Sequence, residues 1–300
     1  MTLDGAPPRS EGAPAAKRSF IDAVALTLRT CRRNAGACLL LTASIGILSG
    51  VGNAVARSFS SITDEAAVSA DEVRLLFLAV IAAVVVLALV YIFVVPITVG
   101  ALSLIGSAAV YGDEVDLRGI VRQSFDRALE SVGAFLVTIL ILLAAPVVIG
   151  LFALAVAYGL DPEEGFGVLI FALAVVTLPG FYVFVRLSLA VPVVMREDVG
   201  PIEALRRSWE LLRGTWWWVF GVGFLIPLAV GVVTRITSVG SIFGPDSLGD
   251  FLLGSLISAV GLAITVSLYG VGAGVIYATL APEDTSPGAP SEAAASEQHL

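Results

Sequence analysis

Along this chain, six long uncharged apolar runs alternate with three short amphipathic segments that carry arginine. The runs are Asn34–Ala56, Leu75–Gly112, Ser131–Leu160, Gly165–Val185 (continuing past Arg186 to Met195), Gly214–Thr234 and Phe251–Pro282. A helix of about 20 apolar residues crosses a bilayer, so each run predicts one transmembrane helix. The run Leu75–Gly112, at 38 residues, would make about 57 Å of helix, nearly twice a hydrocarbon core. Two short spans turning at Pro96 would reverse the side of every later loop, but no polar turn interrupts the run. One long helix, tilted or kinked at Pro96, is the expectation.

The three amphipathic segments each precede a span. The third reads PIEALRRSWELLRG, with Ile202, Leu205, Trp209 and Leu212 at helical spacing and Glu203, Arg206, Arg207, Glu210 and Arg213 on the other face. The second reads LRGIVRQSFDRALE, with a stripe of Leu117, Ile120, Val121, Phe125 and Ala128, and with Asp113, Glu114 and Asp116 placed to meet its N-terminal dipole. The first reads SFIDAVALTLRTCRR, with Ser19 and Asp22 spaced as a capping box before Ile21, Val24, Leu28 and Cys31. Val121-Arg122-Gln123-Ser124-Phe125-Asp126 aligns with Leu205-Arg206-Arg207-Ser208-Trp209-Glu210, and Val24 to Arg29 is a weaker third copy. The expected architecture is therefore an all-α polytopic membrane protein: six transmembrane helices in three repeats of one interfacial helix plus two spans. The membrane domain covers 19–282. Residues 1–18 and 283–300, rich in Ala, Pro, Ser, Gly and Glu, read as disordered cytoplasmic tails.

Composition agrees. The chain is 57% hydrophobic and 14% charged, against about 25% charged for soluble domains. Its net charge of −8 conceals a sorting by side. Thirteen of the 17 Lys and Arg residues lie before the first run, between runs two and three, or between runs four and five. The opposite loops hold Arg57, Arg74 and Arg235 among many acids, including Asp64, Glu65, Asp71, Glu72, Asp161, Glu163, Glu164, Asp246 and Asp250. Positive charge is retained inside, which predicts a multi-pass cell-membrane protein with both termini in the cytoplasm. Ala54-Val55-Ala56 has the small residues of a signal cleavage site, but the leader before it would exceed the usual length, so a retained span is expected.

Candidate chemistry is sparse. The single histidine is His299, and the two cysteines, Cys31 and Cys38, would be about 10 Å apart on one helix, too far for a disulfide. No phosphate loop, metal cluster or nucleophile–base pair stands out, so neither enzyme activity nor a cofactor is expected, and nucleic acid is not an expected partner. Arg186 is the sharpest residue. Ten residues before Arg196 on a continuous helix, it would lie near mid-bilayer, where an arginine costs about 2.5–3.5 kcal/mol on insertion scales. Pro192 would free a carbonyl near Ser188 to accept from it. Arg186, Arg118, Arg122, Arg206, Arg207 and Arg213 are the candidate contacts to lipid or an anion. Trp216-Trp217-Trp218 reads as an aromatic belt, and Gly46–Gly50 and Gly270–Gly274 as close helix contacts.

Over residues 179–218, PGFYVFVRLSLAVPVVMREDVGPIEALRRSWELLRGTWWW, the chain resembles the membrane domain that accompanies glycerophosphoryl diester phosphodiesterases, and related six-span prokaryotic proteins. The likeness rests on Arg186, Pro192, Glu197, Gly200-Pro201 and Ala204 to Trp209. The hydrolase of that family is a separate domain, so the resemblance implies a membrane module without the phosphodiesterase activity. The expected function is that of a non-enzymatic scaffold or accessory module whose basic cytoplasmic helices contact membrane lipids, a protein partner or a second copy of the chain. The alternative is a transporter or lipid-handling protein with a path near Arg186 and the proline-broken spans.

Overall fold

The computed structural model describes residues 20–65, 70–157, 162–221, 228, 231–232 and 248–281. Helices and the short turns between them make up these residues, with no strand among them. The helices are α1 (Phe20–Arg33), α2 (Ala35–Glu65), α3 (Ala70–Tyr111), α4 (Leu117–Asp126), α5 (Ala128–Ala157), α6 (Pro162–Leu187), α7 (Ala190–Glu197), α8 (Pro201–Leu211), α9 (Trp216–Phe220) and α10 (Leu248–Leu280). Five stretches are long and apolar enough to cross a membrane: Ala35–Gly52, Phe77–Tyr111, Ala128–Leu154, Pro179–Glu197 and Leu256–Leu280. About half of the run Gly214–Thr234 lies outside the described residues, as do both tails, Ser19 and much of the loop before α10. The long run after Arg74 forms one helix with Pro96 inside it.

The helices share a division into two zones. Phe77, Val84, Val86, Leu89 and Phe93 on α3 are exposed, as are Leu140, Leu151 and Phe152 on α5, Ile170 and Phe171 on α6, and Leu256 and Ile264 on α10. At the other end, Val99–Ala108 of α3 and Gly270–Ala278 of α10 are buried without interruption. The short helices α1, α4, α7 and α8 gather around this packed pair.

Small residues make the packing. A Cβ on Gly106 would strike the Val271 carbonyl, and one on Gly274 would strike the Ser103 backbone. The two helices therefore touch through their main chains, and their attraction comes from dispersion at close approach. Gly270 faces Leu102 in the same way. Gly46 sits against Ala259 at ordinary contact, and nothing lies within 4 Å of where a Cβ of Gly50 would be. Of the two Gly-x-x-x-Gly motifs, only Gly270–Gly274 forms a tight seam.

Three sequence readings gain detail or need correction. First, the apolar stripes of the amphipathic segments do not share one environment. In α8, Ala204, Leu205, Ser208 and Leu212 are buried, while Ile202 and Trp209 point outward. In α4 Ser124 is buried, and Leu117 and Phe125 are exposed; in α1 Ala23, Thr27 and Thr30 are buried, and Ile21 and Leu28 are exposed. Small residues, joined by Leu205 and Leu212, seat these helices on the packed end, while Ile21, Leu28, Leu117, Phe125, Ile202 and Trp209 face away from it. Second, α6 does not continue to Met195. It ends at Leu187, and the chain turns at Ser188–Leu189 before α7 begins. The Ser188 amide and hydroxyl both donate to the Val185 carbonyl, at 3.2 and 2.7 Å. Pro192 falls in the first turn of α7, where a missing N–H costs nothing. Arg186 therefore lies in the last turn of one helix, and its depth cannot be measured along a continuous helix from Arg196. Third, the three tryptophans of the run differ in surroundings: Trp217 is exposed, while Trp216 and Trp218 are half-buried against the core.

Candidate lipid-contact site

The packed end carries a layer of arginines, and its geometry sorts them into two groups. The first group is structural and centres on the C-terminus of α7. The last carbonyls of a helix have no partner within it. Here they are met by α4: Gln123 Nε2 donates to the Met195 carbonyl at 2.8 Å, and Arg127 Nη1 to the Val194 carbonyl at 2.7 Å. Arg127 Nη2 also lies 3.1 Å from Asp198 Oδ1. Asp198 takes a left-handed conformation, φ 49°, the usual way a chain leaves a helix. Gly200 and Pro201 then start α8.

Glu197 completes this group. It faces Arg207 at 3.2 Å and accepts from the buried Tyr277 hydroxyl at 3.0 Å. Arg196 Nε donates to Ser107 Oγ at 3.0 Å, with its guanidinium 5.7 Å from the Tyr111 ring. These contacts tie α7 and α8 to α3, α4 and α10.

The second group is turned outward. Arg118, Arg122, Arg206 and Arg213 are exposed. Arg122 meets Asp126 at 3.8 Å and Arg206 meets Glu210 at 3.3 Å, both one helical turn apart. Exposed pairs of this kind contribute little to stability. The α4 backbone beneath them is fixed by Asp116, whose carboxylate accepts from the Arg118 and Gly119 amides at 3.1 Å each. A Cβ on Gly119 would meet Asp116 Oδ2 at 2.7 Å, so a larger residue there would have to displace the capping carboxylate.

Arg186 belongs to neither group. Its Nε and Nη2 donate to the Tyr182 hydroxyl at 3.0 and 2.8 Å, and its Nη1 to the Trp209 carbonyl at 3.0 Å. Its guanidinium lies 5.0 Å from the Trp209 ring centre and 5.4 Å from that of Tyr182, within cation–π range. The acceptor foreseen near Ser188 is not used. Instead the Arg186 carbonyl accepts from Ser208 Oγ at 2.8 Å, locking α8 onto the end of α6.

A shared detail links the three short helices. Thr27, Ser124 and Ser208 are 2%, 1% and 0% exposed, and the residues that follow them, Leu28, Phe125 and Trp209, are 47%, 64% and 41% exposed. Thr27 and Ser124 return their hydroxyls to the carbonyls of Ala23 and Ile120.

This arrangement extends over nearly the whole described chain, and so does the family match. A family model described as a domain of unknown function, DUF7847, matches residues 23–281. The chain belongs to the DUF7847 family. No curated protein and no solved structure matches it.

Of the six arginines singled out from the sequence of this DUF7847 chain, the structure brings Arg186 and Arg207 into contacts within the packed end and leaves Arg118, Arg122, Arg206 and Arg213 at the surface. Sequence reasoning missed Arg127, Arg196, Gln123, Glu197 and Tyr277. A signal was present: Arg196-Glu197-Asp198 directly ends an apolar run, just before Gly200-Pro201, where a helix C-terminus needs partners. Cys31 and Cys38 are free thiols, and Cys31 Sγ donates to the Ser267 carbonyl on α10. No cluster of His, Cys, Asp and Glu suited to a metal occurs among the described residues.

Proposed function

We propose that this protein is a non-enzymatic membrane module that seats three interfacial helices on an anionic cytoplasmic leaflet. The observation that carries this reading is the paired outward display on the packed end. Large apolar side chains (Leu28, Phe125, Trp209) and exposed arginines (Arg118, Arg122, Arg206, Arg213) project from the short helices and their ends, Arg122 and Arg206 held only by exposed pairs one turn away. An amphipathic helix at a membrane surface needs apolar residues for the acyl boundary and cations for lipid phosphates. Both are exposed here, and the bundle below does not use them.

In the same reading the chain has six spans in three repeats, the fifth span being Gly214–Thr234. Each repeat is a short helix followed by two spans. The support is the common burial of Thr27, Ser124 and Ser208 at aligned positions, each followed by an exposed large apolar residue. Both termini lie in the cytoplasm of a prokaryotic cell, following the arginine sorting. The likeness of residues 179–218 to the phosphodiesterase membrane domain fits a membrane module and brings no hydrolase activity with it. A transport path is the weaker reading, because the neighbours of Arg186 are aromatic rings and a carbonyl.

The test uses nanodiscs containing brominated phosphatidylglycerol diluted in phosphatidylcholine. Tryptophan quenching in the wild-type protein should exceed that expected from the bulk lipid ratio, and the excess should fall as salt is raised. Changing Arg118, Arg122, Arg206 and Arg213 together to Gln should remove the salt-sensitive part of the excess. Quenching at the bulk ratio in wild type, or an excess unchanged in the variant, would rule the reading out. In the second case a protein partner becomes the occupant to seek.

A further inference from the structure

We propose that the cluster of Tyr182, Arg186, Trp209 and Trp216 binds the phosphate of a single phospholipid. This rests on the lipid-facing reading above but goes beyond it, from a diffuse electrostatic seat to one discrete site.

Arg186 sits at the junction of α6 and α8, and no carboxylate lies within ion-pair distance of it among the described residues. In the same layer Arg122, Arg127, Arg206 and Arg207 each have one. Its hydrogen bonds go to the Tyr182 hydroxyl and the Trp209 carbonyl, both uncharged groups. Three N–H contacts are made, and the rest of the guanidinium has no acceptor among the described residues. The two partners hold the group in place, and the Trp209 ring stacks on one side of it. A fixed guanidinium with unused N–H groups is suited to grip phosphate through paired hydrogen bonds.

A second donor stands in the same cluster. Trp216 Nε1 is buried and has no hydrogen-bond partner, an arrangement that costs free energy unless something supplies an acceptor. Its ring lies 5.5 Å from that of Tyr182 and stacks on Phe220 at 5.3 Å. A phosphate oxygen would satisfy both this N–H and the guanidinium charge.

Free phosphate and a lipid headgroup offer the same oxygens, and the surroundings favour the lipid. Phe171 and Val175, on the helix that carries Arg186, are exposed and share helical spacing with Tyr182 and Arg186. They continue an apolar face away from the cluster, along which an acyl chain can lie. A hydrated inorganic ion would gain nothing from that surface.

The experiment is native mass spectrometry of the purified protein titrated with phosphatidylglycerol, with diacylglycerol and inorganic phosphate as further probes. The expected result is one retained phosphatidylglycerol, no comparable retention of diacylglycerol, and no displacement by millimolar inorganic phosphate. Arg186→Gln should weaken retention at least about tenfold, Arg186→Lys should weaken it less because it keeps the charge and loses the fork, and Trp216→Phe should weaken it a few-fold. Equal retention of diacylglycerol, displacement by inorganic phosphate, or undiminished retention in Arg186→Gln would each overturn the proposal. If Arg186→Gln does not fold, Arg186→Lys and the wild-type competition still decide. The variant lacking Arg118, Arg122, Arg206 and Arg213 should keep this one lipid, with the quenching it causes at Trp209 and Trp216, while losing the salt-sensitive remainder, so the two proposals fail separately.

Discussion

The two halves of α3 are both uncharged and meet opposite environments. Residues 75–93 read LLFLAVIAAVVVLALVYIF and are largely exposed, whereas residues 99–108 read VGALSLIGSA and are buried throughout. The buried half is the less apolar of the two, set apart by small side chains and hydroxyls. Where hydrocarbon is the solvent, burying a leucine against protein gains little, so large branched residues can stay outside. Where helices must approach closely, Gly100, Ala101, Ser103, Gly106, Ser107 and Ala108 let them. The exposed stretch is about 28 Å of helix, close to one hydrocarbon thickness. Within a membrane helix, small residues mark contact with protein and large ones mark contact with lipid.

The contrast can be broken most severely at the glycine seam. Gly274→Ala places a methyl group into the Ser103 backbone, so α3 and α10 must part. Overpacking costs about 1–3 kcal/mol, sometimes more, and a main-chain clash belongs at the upper end. Leu89→Ala, in the exposed half, should change stability by less than about 0.5 kcal/mol. Thermal unfolding in detergent, followed by tryptophan fluorescence, compares the two. Equal losses would refute the two-zone description.

A smaller effect is expected from Arg127→Met. It leaves the Val194 carbonyl without its donor and removes the Asp198 pair, a loss of about 1–3 kcal/mol. The same melts should show it.

Smaller again is the contrast between two serines. Ser208→Ala removes the hydroxyl bond to the Arg186 carbonyl and should cost about 1 kcal/mol. Ser131 Oγ is buried with no hydrogen-bond partner, so Ser131→Ala should be neutral or stabilising. If Ser131→Ala lost as much as Ser208→Ala, the hydrogen-bond assignment would be at fault. At the bottom of the scale, Gln at Arg118, Arg122, Arg206 or Arg213 should move each melt by less than about 0.5 kcal/mol.

The helices were legible in the sequence because the absence of charge over 20 or more residues has one common cause, hydrocarbon solvation. The single long α3 was legible because no polar turn broke it. What each face touches was less so. Amphipathic helices on a soluble protein turn large apolar residues inward, and that rule failed at Ile21, Phe125 and Ile202, the side chains that the proposed membrane seat would cover. It held at Leu205 and Leu212, which pack into the protein. The break at Ser188–Leu189 was hidden because Pro192 reads equally as a kink within a helix and as the first turn of a new one. Arg127 and Glu197 were missed because an ion pair between residues distant in sequence leaves no local spacing to detect. Arg186 was legible for the opposite reason: an arginine inside an apolar run needs a partner, whichever one it finds.

The central claim is that the packed end, with its short helices, faces the cytoplasm and the exposed apolar band fills the bilayer. Cysteine accessibility tests it most directly, in a chain whose native thiols are replaced (Cys31→Ala, Cys38→Ala). Arg74 precedes the exposed half of α3, whereas Arg122 and Arg206 lie on α4 and α8 at the packed end. A membrane-impermeant maleimide should label Arg74→Cys in intact cells and should reach Arg122→Cys and Arg206→Cys only after permeabilisation. Labelling of Arg122→Cys or Arg206→Cys from outside, or of all three positions from the same side, would contradict the account.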